Sequence, residues 1–361
     1  MKALSIGSFD SFWKAGLFCT GAVAWALPTW NVVVNPYQIF NDKYSIGARY
    51  TSSTTNERYL KVEHLVREER EKSPLAAENI VSVINESPDD RQKPKGELPN
   101  AFIVGSSIMG MIEPFLMETR LPGTHFYNLA FLAAKPDEIL ATLKGLKNEG
   151  VLISNIVYGL EPIAFTDIKS YGPAYQLHPL AVESSKQKVL FDYLFASSLS
   201  DGFSRLVTVL RGEPSVRYDI EGTGRYYLDR YDREIKKDHD AFIRKQFPID
   251  AKPVNAPPWV ENRFNELKRL VQWLKQEKVD AMFYLNPLHP YVANAYGDAR
   301  LNEFKKRMIE LTGQANINDC TRLLINEDVN RRFYDYKHFR DVEAGKVLDC
   351  GLGIIELSKR D

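Results

Sequence analysis

From Ala101 onward, short apolar runs alternate with segments of helical periodicity, and this alternation constrains the fold more than any other feature of the chain. The runs are Ala101–Val104 (AFIV), Phe126–Ala130 (FYNLA), Ile156–Leu160 (IVYGL), Ala281–Leu285 (AMFYL) and one at about Gln314–Ile317. None is clearly polar at alternate positions, which predicts strands buried on both faces. Between them lie apolar stripes spaced three and four apart. Ile139, Leu143 and Leu146 form one, opened by Pro136-Asp137-Glu138, a favourable first helical turn. Val260, Phe264, Leu267, Val271 and Leu274 form the second, and Leu301, Phe304, Met308 and Leu311 the third. Such stripes read as core faces rather than cofactor boxes. The expected fold is α/β: a doubly wound, mainly parallel sheet flanked by helices, with ligands bound beyond the carboxyl ends of the strands. The segment from about 170 to 258 breaks the alternation, being long, aromatic-rich and mostly helical (Ala181–Ser197, Ser200–Arg211, Tyr226–Gln246). It reads as a helical insertion beside the sheet, placed where it could cover the site.

The N-terminus changes the class. No charged residue lies between Lys14 and Asp42, and Leu17–Val34 (LFCTGAVAWALPTWNVVV) is apolar apart from Cys19, Thr20, Thr29 and Asn31. As a helix it would rise roughly 27 Å, close to the ~30 Å hydrocarbon thickness of a bilayer. Trp13 and Trp30 sit near its ends, where indole rings favour the interface. The stretch reads as an N-terminal transmembrane helix or a secretory signal, with Ala24-Trp25-Ala26 resembling a small-x-small cleavage site. A buried core helix is the third reading. Residues 1–40 are therefore expected to be an anchor or signal segment, and 41–100 a juxtamembrane stalk and linker. Glu57–Lys72 carries many opposite charges three or four apart, as a solvated helix does, and Asp89–Pro99 is turn-rich. Residues 101–361 are expected to form the α/β domain, placed outside the cytoplasmic membrane.

Lys+Arg and Asp+Glu both total 47, so the net charge is zero and no nucleic-acid partner is expected. Cys19, Cys320 and Cys350 make no disulfide framework and no paired zinc spacing. One bridge, Cys320–Cys350, is conceivable in an oxidising compartment. No carboxylate or cysteine constellation around His64, His125, His178 or His239 suggests a metal, so no metal and no cofactor are expected. Neither GxxxxGK[ST] nor a GxGxxG following a strand occurs, which leaves nucleotide binding with little support.

Two motifs can carry chemistry. The first strand runs into Val104-Gly105-Ser106-Ser107-Ile108-Met109-Gly110, a small-residue turn that places a hydroxyl at the sheet's edge, at the start of a helix. Near the other end, Tyr334-Asp335-Tyr336-Lys337-His338-Phe339 sets an acid three residues before a histidine. The acid can then fix the imidazole tautomer, so that its other nitrogen faces a nucleophile. Each motif alone is more often a turn or a cap. Their order, serine after the first strand and Asp-x-x-His after the last, is the more telling feature. His289, in Asn286-Pro287-Leu288-His289-Pro290 after the fourth strand, is a candidate for substrate binding or proton transfer, or else for loop structure.

In this order of motifs, over roughly residues 101–350, the chain resembles the SGNH (GDSL-like) hydrolase superfamily, in its membrane-anchored bacterial branches with Gly-Ser-Ser in place of Gly-Asp-Ser. It is also similar to a group of anchored envelope proteins through Val34-Asn35-Pro36-Tyr37, Asn56-Glu57-Arg58, Phe102–Ser107, Tyr127-Asn128-Leu129-Ala130, Asn286-Pro287-Leu288-His289 and Tyr334–Arg340. The resemblance implies Ser107 as nucleophile, His338 as general base and Asp335 as its orienter. It implies oxyanion or substrate-binding roles near Gly105, Asn128, Glu161 and His289. The superfamily's third block usually supplies an Asn to the oxyanion hole; here that place reads Gly159-Leu160-Glu161-Pro162. Asn128 is then the substitute, or Glu161 turns the site to another purpose.

The implied activity is that of a membrane-anchored serine esterase or O-acyltransferase acting on acyl groups of envelope glycans. Its partners would be an acylated glycan or other ester substrate, the membrane through residues 17–34, and a membrane-embedded acyl-transfer or polysaccharide-export protein. The alternative is a catalytically inactive envelope component that uses the same fold for assembly or glycan binding.

Overall fold

The computed structural model describes residues 25–40, 54–72, 98–167, 172–182, 185–196, 198–211, 217–248, 250, 255–314, 317–326 and 328–355. Five strands, β1 (Ala101–Val104), β2 (Phe126–Asn128), β3 (Asn155–Leu160), β4 (Asp280–Leu285) and β5 (Asn318–Asp319), form one parallel sheet in the order β2-β1-β3-β4-β5. Val104 pairs with Tyr158 and Leu160 with Leu285, so the carboxyl ends of the central strands share one edge. The order reverses between β1 and β3, which makes the gap beyond those two strands the natural crevice of the sheet.

Alternate strand residues feed two separate cores, because successive side chains point to opposite faces. Phe102, Val104, Tyr127, Ile156, Tyr158, Phe283 and Leu285 face one layer of helices: α1 (Glu57–Lys72), α2 (Pro136–Asn148), α4 (Glu261–Gln276) and α5 (Pro290–Thr312). Ala101, Ile103, Phe126, Val157 and Tyr284 face the other, with Ile108, Met109, Phe333, Phe339 and the helix α6 (Ala344–Gly351). Both faces are covered, so the strands show no polar alternation. The three stripes place Ile139, Leu143, Leu146, Phe264, Leu267, Val271, Leu274, Phe304 and Met308 in the first core. The last strand lies a few residues later than expected, at Asn318–Asp319.

Between β3 and β4 the insertion runs through short helices, among them Lys186–Leu194, α3 (Leu199–Leu210), Asp229–Lys237 and His239–Gln246. The helix expected over Tyr226–Gln246 is broken at Asp238, whose backbone leaves the helical path and whose carboxylate caps the next helix, accepting Ala241 N–H at 2.9 Å. The two cysteines of the domain, Cys320 and Cys350, are joined by a disulfide that ties the end of β5 to α6.

One expectation for the N-terminal region is corrected. Glu57–Lys72 is not a solvated stalk: Val62, Leu65 and Val66 lie in the first core, and Glu57, Arg58 and Lys61 are buried. Each of those charges finds a partner in the fold. Lys61 Nζ donates to Ala130 O at 2.6 Å beside Glu57 at 3.5 Å, Arg58 donates to Leu132 O, and Glu57 accepts Leu132 N–H. The helix thereby buttresses the loop that follows β2. Most of the Asp89–Pro99 linker lies outside the described residues.

As for the anchor, no helix among the described residues is long and apolar enough to cross a membrane, and residues 17–24 lie outside them. Residues 25–34 are helical and belong to the folded body. Asn31 Nδ2 donates to the carbonyls of Tyr193, Leu194 and Ala196 at 3.1, 2.8 and 3.0 Å, in the insertion. Asn31, one of the polar residues that interrupt the apolar stretch, is thus used in packing.

Candidate active site

The turn after β1 depends on Gly105. Its φ of +136° strains any L side chain, and a Cβ there would fall 2.6 Å from Met109 Cγ. The glycine's carbonyl accepts Phe131 N–H at 3.1 Å, fastening the turn to the loop after β2. A single helical turn, Ser107–Gly110, follows directly, with Ser106 Oγ accepting Ile108 N–H at 3.3 Å. Ile108 and Met109 are drawn into the second core, which leaves Ser107 half-buried at the open edge.

The second motif is a tight hairpin. Phe333 and Phe339 pair across it and are fully buried in the same core as Ile108 and Met109. Tyr334 N–H donates to His338 O at 2.8 Å, and the Tyr334 hydroxyl reaches Asp232 at 2.6 Å and Asp341 at 3.0 Å. Inside the loop, Asp335 Oδ1 accepts the backbone N–H of Lys337 at 2.7 Å and of His338 at 2.9 Å. The short spacing thus lets one aspartate build the turn and orient the ring.

The two motifs converge. Ser107 Oγ lies 2.8 Å from His338 Nε2, and His338 Nδ1 lies 2.9 and 3.0 Å from the two carboxylate oxygens of Asp335. With Nδ1–H donated to the carboxylate, Nε2 is the acceptor for the serine hydroxyl. Burial opposes ionisation of Asp335, but the hydrogen bond and charge of His338 and the two backbone N–H groups outweigh it, holding the carboxyl below its usual range.

The four other candidates fall into different roles. Gly105 makes the turn. Asn128 is fully buried and its amide is committed: Nδ2 donates to Met109 O and Ile112 O, both at 2.8 Å, and Oδ1 accepts Ala130 N–H at 3.1 Å. Both of its N–H groups being used, it braces the chain after Ser107 and is not a spare oxyanion donor. His289 is likewise structural. Its Nδ1 accepts Tyr291 N–H at 3.1 Å, its Nε2 lies 2.8 Å from Asn330 Oδ1, and its ring stacks on Phe247 at 5.2 Å. Of the two readings of this residue, the engagement of both ring nitrogens favours the histidine that holds the loops around Asn330 and Tyr336. Glu161 lies at the carboxyl edge, just past β3. It is buried with Oε1 unpartnered, and burial, only partly opposed by the charge of Lys337, pushes its carboxyl up to about 8. At neutral pH it is an acid that can donate, not the carboxylate that would repel an oxyanion.

Sequence reasoning missed two residues. Asn286, one past β4, is fully buried against Gly159 beside Met109, and neither side-chain amide atom has a partner. Its place after a central strand was the signal. Arg225, in the insertion, donates to Met111 O at 3.1 Å, to Glu113 at 2.8 Å and to Asp341 at 3.1 Å. It clamps the segment after Ser107 to the segment after His338. The neighbouring Tyr226 adds a backbone bond to Gly110 O at 2.7 Å, and its ring lies 6.5 Å from His338. Nothing in the local sequence marks that arginine, because its partners lie more than a hundred residues away. No protein-family model matches the chain, and no curated protein is significantly similar to it.

Proposed function

We propose that the protein is an SGNH-like serine esterase or O-acyltransferase of the bacterial envelope, using Ser107, His338 and Asp335 as a catalytic triad. The observation that carries this reading is the contact between Ser107 Oγ and His338 Nε2 at 2.8 Å, with the Asp335 carboxylate behind the ring. In the proposed reaction His338 takes the serine proton as Oγ attacks an acyl carbonyl. The ester's alkoxide leaves with that proton, and the acyl group stays on Ser107. Water or a sugar hydroxyl then gives its proton to His338 and takes the acyl group, which restores the serine. Asp335 stabilises the imidazolium formed in each half. We assign the developing oxyanion to the uncommitted polar groups of this edge, the Asn286 amide and the neutral Glu161 acid.

An acylated envelope glycan as substrate, a membrane-embedded acyl-transfer or polysaccharide-export partner, and a position outside the cytoplasmic membrane are parts of the same proposal. The Cys320–Cys350 bridge supports the last, since structural disulfides persist in oxidising compartments. Labelling of the folded protein by a fluorophosphonate probe, abolished in Ser107→Ala, is the direct test.

The second reading is a non-catalytic envelope component, and the commitment of Asn128 within the fold favours it. Under it, cells carrying Ser107→Ala with His338→Ala at normal protein levels keep their envelope polymers unchanged. A polymer-modification defect in that strain rejects it.

A further inference from the structure

Helix α3 is built inside out. Its two charged residues turn inward or are paired: Arg205 is buried, and Asp201 accepts the Tyr37 hydroxyl at 2.9 Å. Its exposed positions are Leu199, Ser200, Phe203, Ser204, Val207 and Leu210, with no charge among them. The four apolar residues recur at spacings of four, four and three, so they form one stripe along the helix. Phe203 is 60% and Leu210 75% exposed, where a water-facing helix carries polar side chains.

The stripe does not stand alone. The helix over residues 25–34 packs beside it, with the Trp30 and Phe203 rings 5.4 Å apart. Gly202 permits that approach, since a Cβ there would fall 2.4 Å from Trp30 Nε1. An apolar groove lined by Trp25, Trp30, Val33 and Leu206 runs between the two helices, and Trp25 is 74% exposed. The partner helix also lies inside the run from Ala15 to Asn41 that contains no charged residue. The exposed face is therefore continuous, through the chain itself, with the most lipid-compatible segment of the protein.

We propose that α3 and residues 25–34 together form a membrane-seating face that lies in the interfacial layer of a lipid bilayer. A helix with one apolar, uncharged face sinks about 5–10 Å into that layer, and indole rings such as Trp25 favour it. The face is distinct from any span made by the preceding residues. It fixes how the α/β body sits on the surface, and it stands whatever chemistry Ser107 performs.

The test uses the full chain with Cys19→Ser and a nitrobenzoxadiazole fluorophore on Ser204→Cys, in phosphatidylcholine–phosphatidylglycerol nanodiscs. The same fluorophore on Lys144→Cys, at an exposed position of α2, is the control. Expected are quenching at 204 by brominated acyl chains and a roughly tenfold slower reduction by dithionite than at 144. Adding Leu199→Glu and Leu210→Glu, two outward changes that leave the Trp30–Phe203 contact intact, is expected to abolish both effects. Equal reduction at 204 and 144 without lipid quenching overturns the proposal. Slow reduction at 204 with no effect of brominated lipid also overturns it, by giving the face to protein, a second copy included.

Discussion

Arg225 Nη2 lies 3.1 Å from the Asp341 carboxylate, and this contact ties the insertion to the loop that presents His338. The same guanidinium grips Glu113 on the segment after Ser107, so one side chain sets the spacing between the two halves of the triad. Arg225→Met keeps the stem and removes the fork, leaving two half-buried carboxylates without their cation. We expect a loss of about 1–3 kcal/mol in stability. Fluorophosphonate labelling of Ser107 should slow at least tenfold, because small misplacements of reacting groups cost that much or more. Arg225→Lys should recover much of the stability but not the rate, since an ammonium cannot hold both acids in a fixed plane. A labelling rate unchanged in Arg225→Met would remove the positioning role.

Glu161 gives the protein a pH signature. Its folded pKa of about 8 lies above the ordinary value near 4.3. The stabilising contribution of the neutral acid is therefore fully present below about pH 4.3 and is lost as pH rises through about 8. Glu161→Gln cannot ionise. Thermal melts of variant and wild type should agree near about pH 5 and separate in the variant's favour near about pH 9. If the acid also serves the oxyanion, labelling by wild type falls above about pH 8 and labelling by the glutamine variant does not. Parallel melting curves across this range would show that the carboxyl is not held neutral.

Asp335 works in the opposite direction. Its folded pKa is depressed, so its contribution is fully present above the unfolded value near 3.9 and disappears as pH falls through the lower folded value. Asp335→Asn removes the charge and offers the ring an amide that can enforce the wrong tautomer. Labelling should fall by roughly a thousandfold or more, as it does when comparable triads lose this group. The variant should also be less stable at neutral pH, and the difference should shrink in acid. Labelling within tenfold of wild type would mean that Asp335 builds the turn and does nothing for His338.

The alternation of apolar runs gave away the sheet because burial on both faces leaves a strand no polar positions, and all five runs fall on or beside a strand. Ser107, His338 and Asp335 were legible for a related reason: each motif sits where a strand or an aromatic-anchored hairpin must deliver a side chain to the edge. What stayed hidden depends on distant partners. The charges of Glu57, Arg58 and Lys61 read as solvated, since local spacing cannot show that backbone groups about seventy residues away will pair with them. Asn128 read as a free amide for the same reason. Its acceptors, Met109 O and Ile112 O, exist only once the turn after Ser107 has formed.

The disulfide links stability to compartment. Cys320 and Cys350 are buried in the core that also holds Phe333 and Phe339, the two anchors of the hairpin bearing Asp335 and His338. The bridge closes a loop spanning 30 residues, which in the chain-entropy account is worth about 3–4 kcal/mol. Cys320→Ala with Cys350→Ala should lower the denaturant midpoint accordingly, and treating the wild type with a reductant under mild denaturation should reproduce the shift. Labelling of Ser107 should fall in step, since loosening α6 and the end of β5 frees the layer against which the hairpin packs. Protein taken from cells under thiol-blocking conditions is expected to show neither of these two thiols. Two free thiols in that material would reject the oxidising-side location, while an unchanged midpoint on reduction would deny the bridge any part in holding the hairpin.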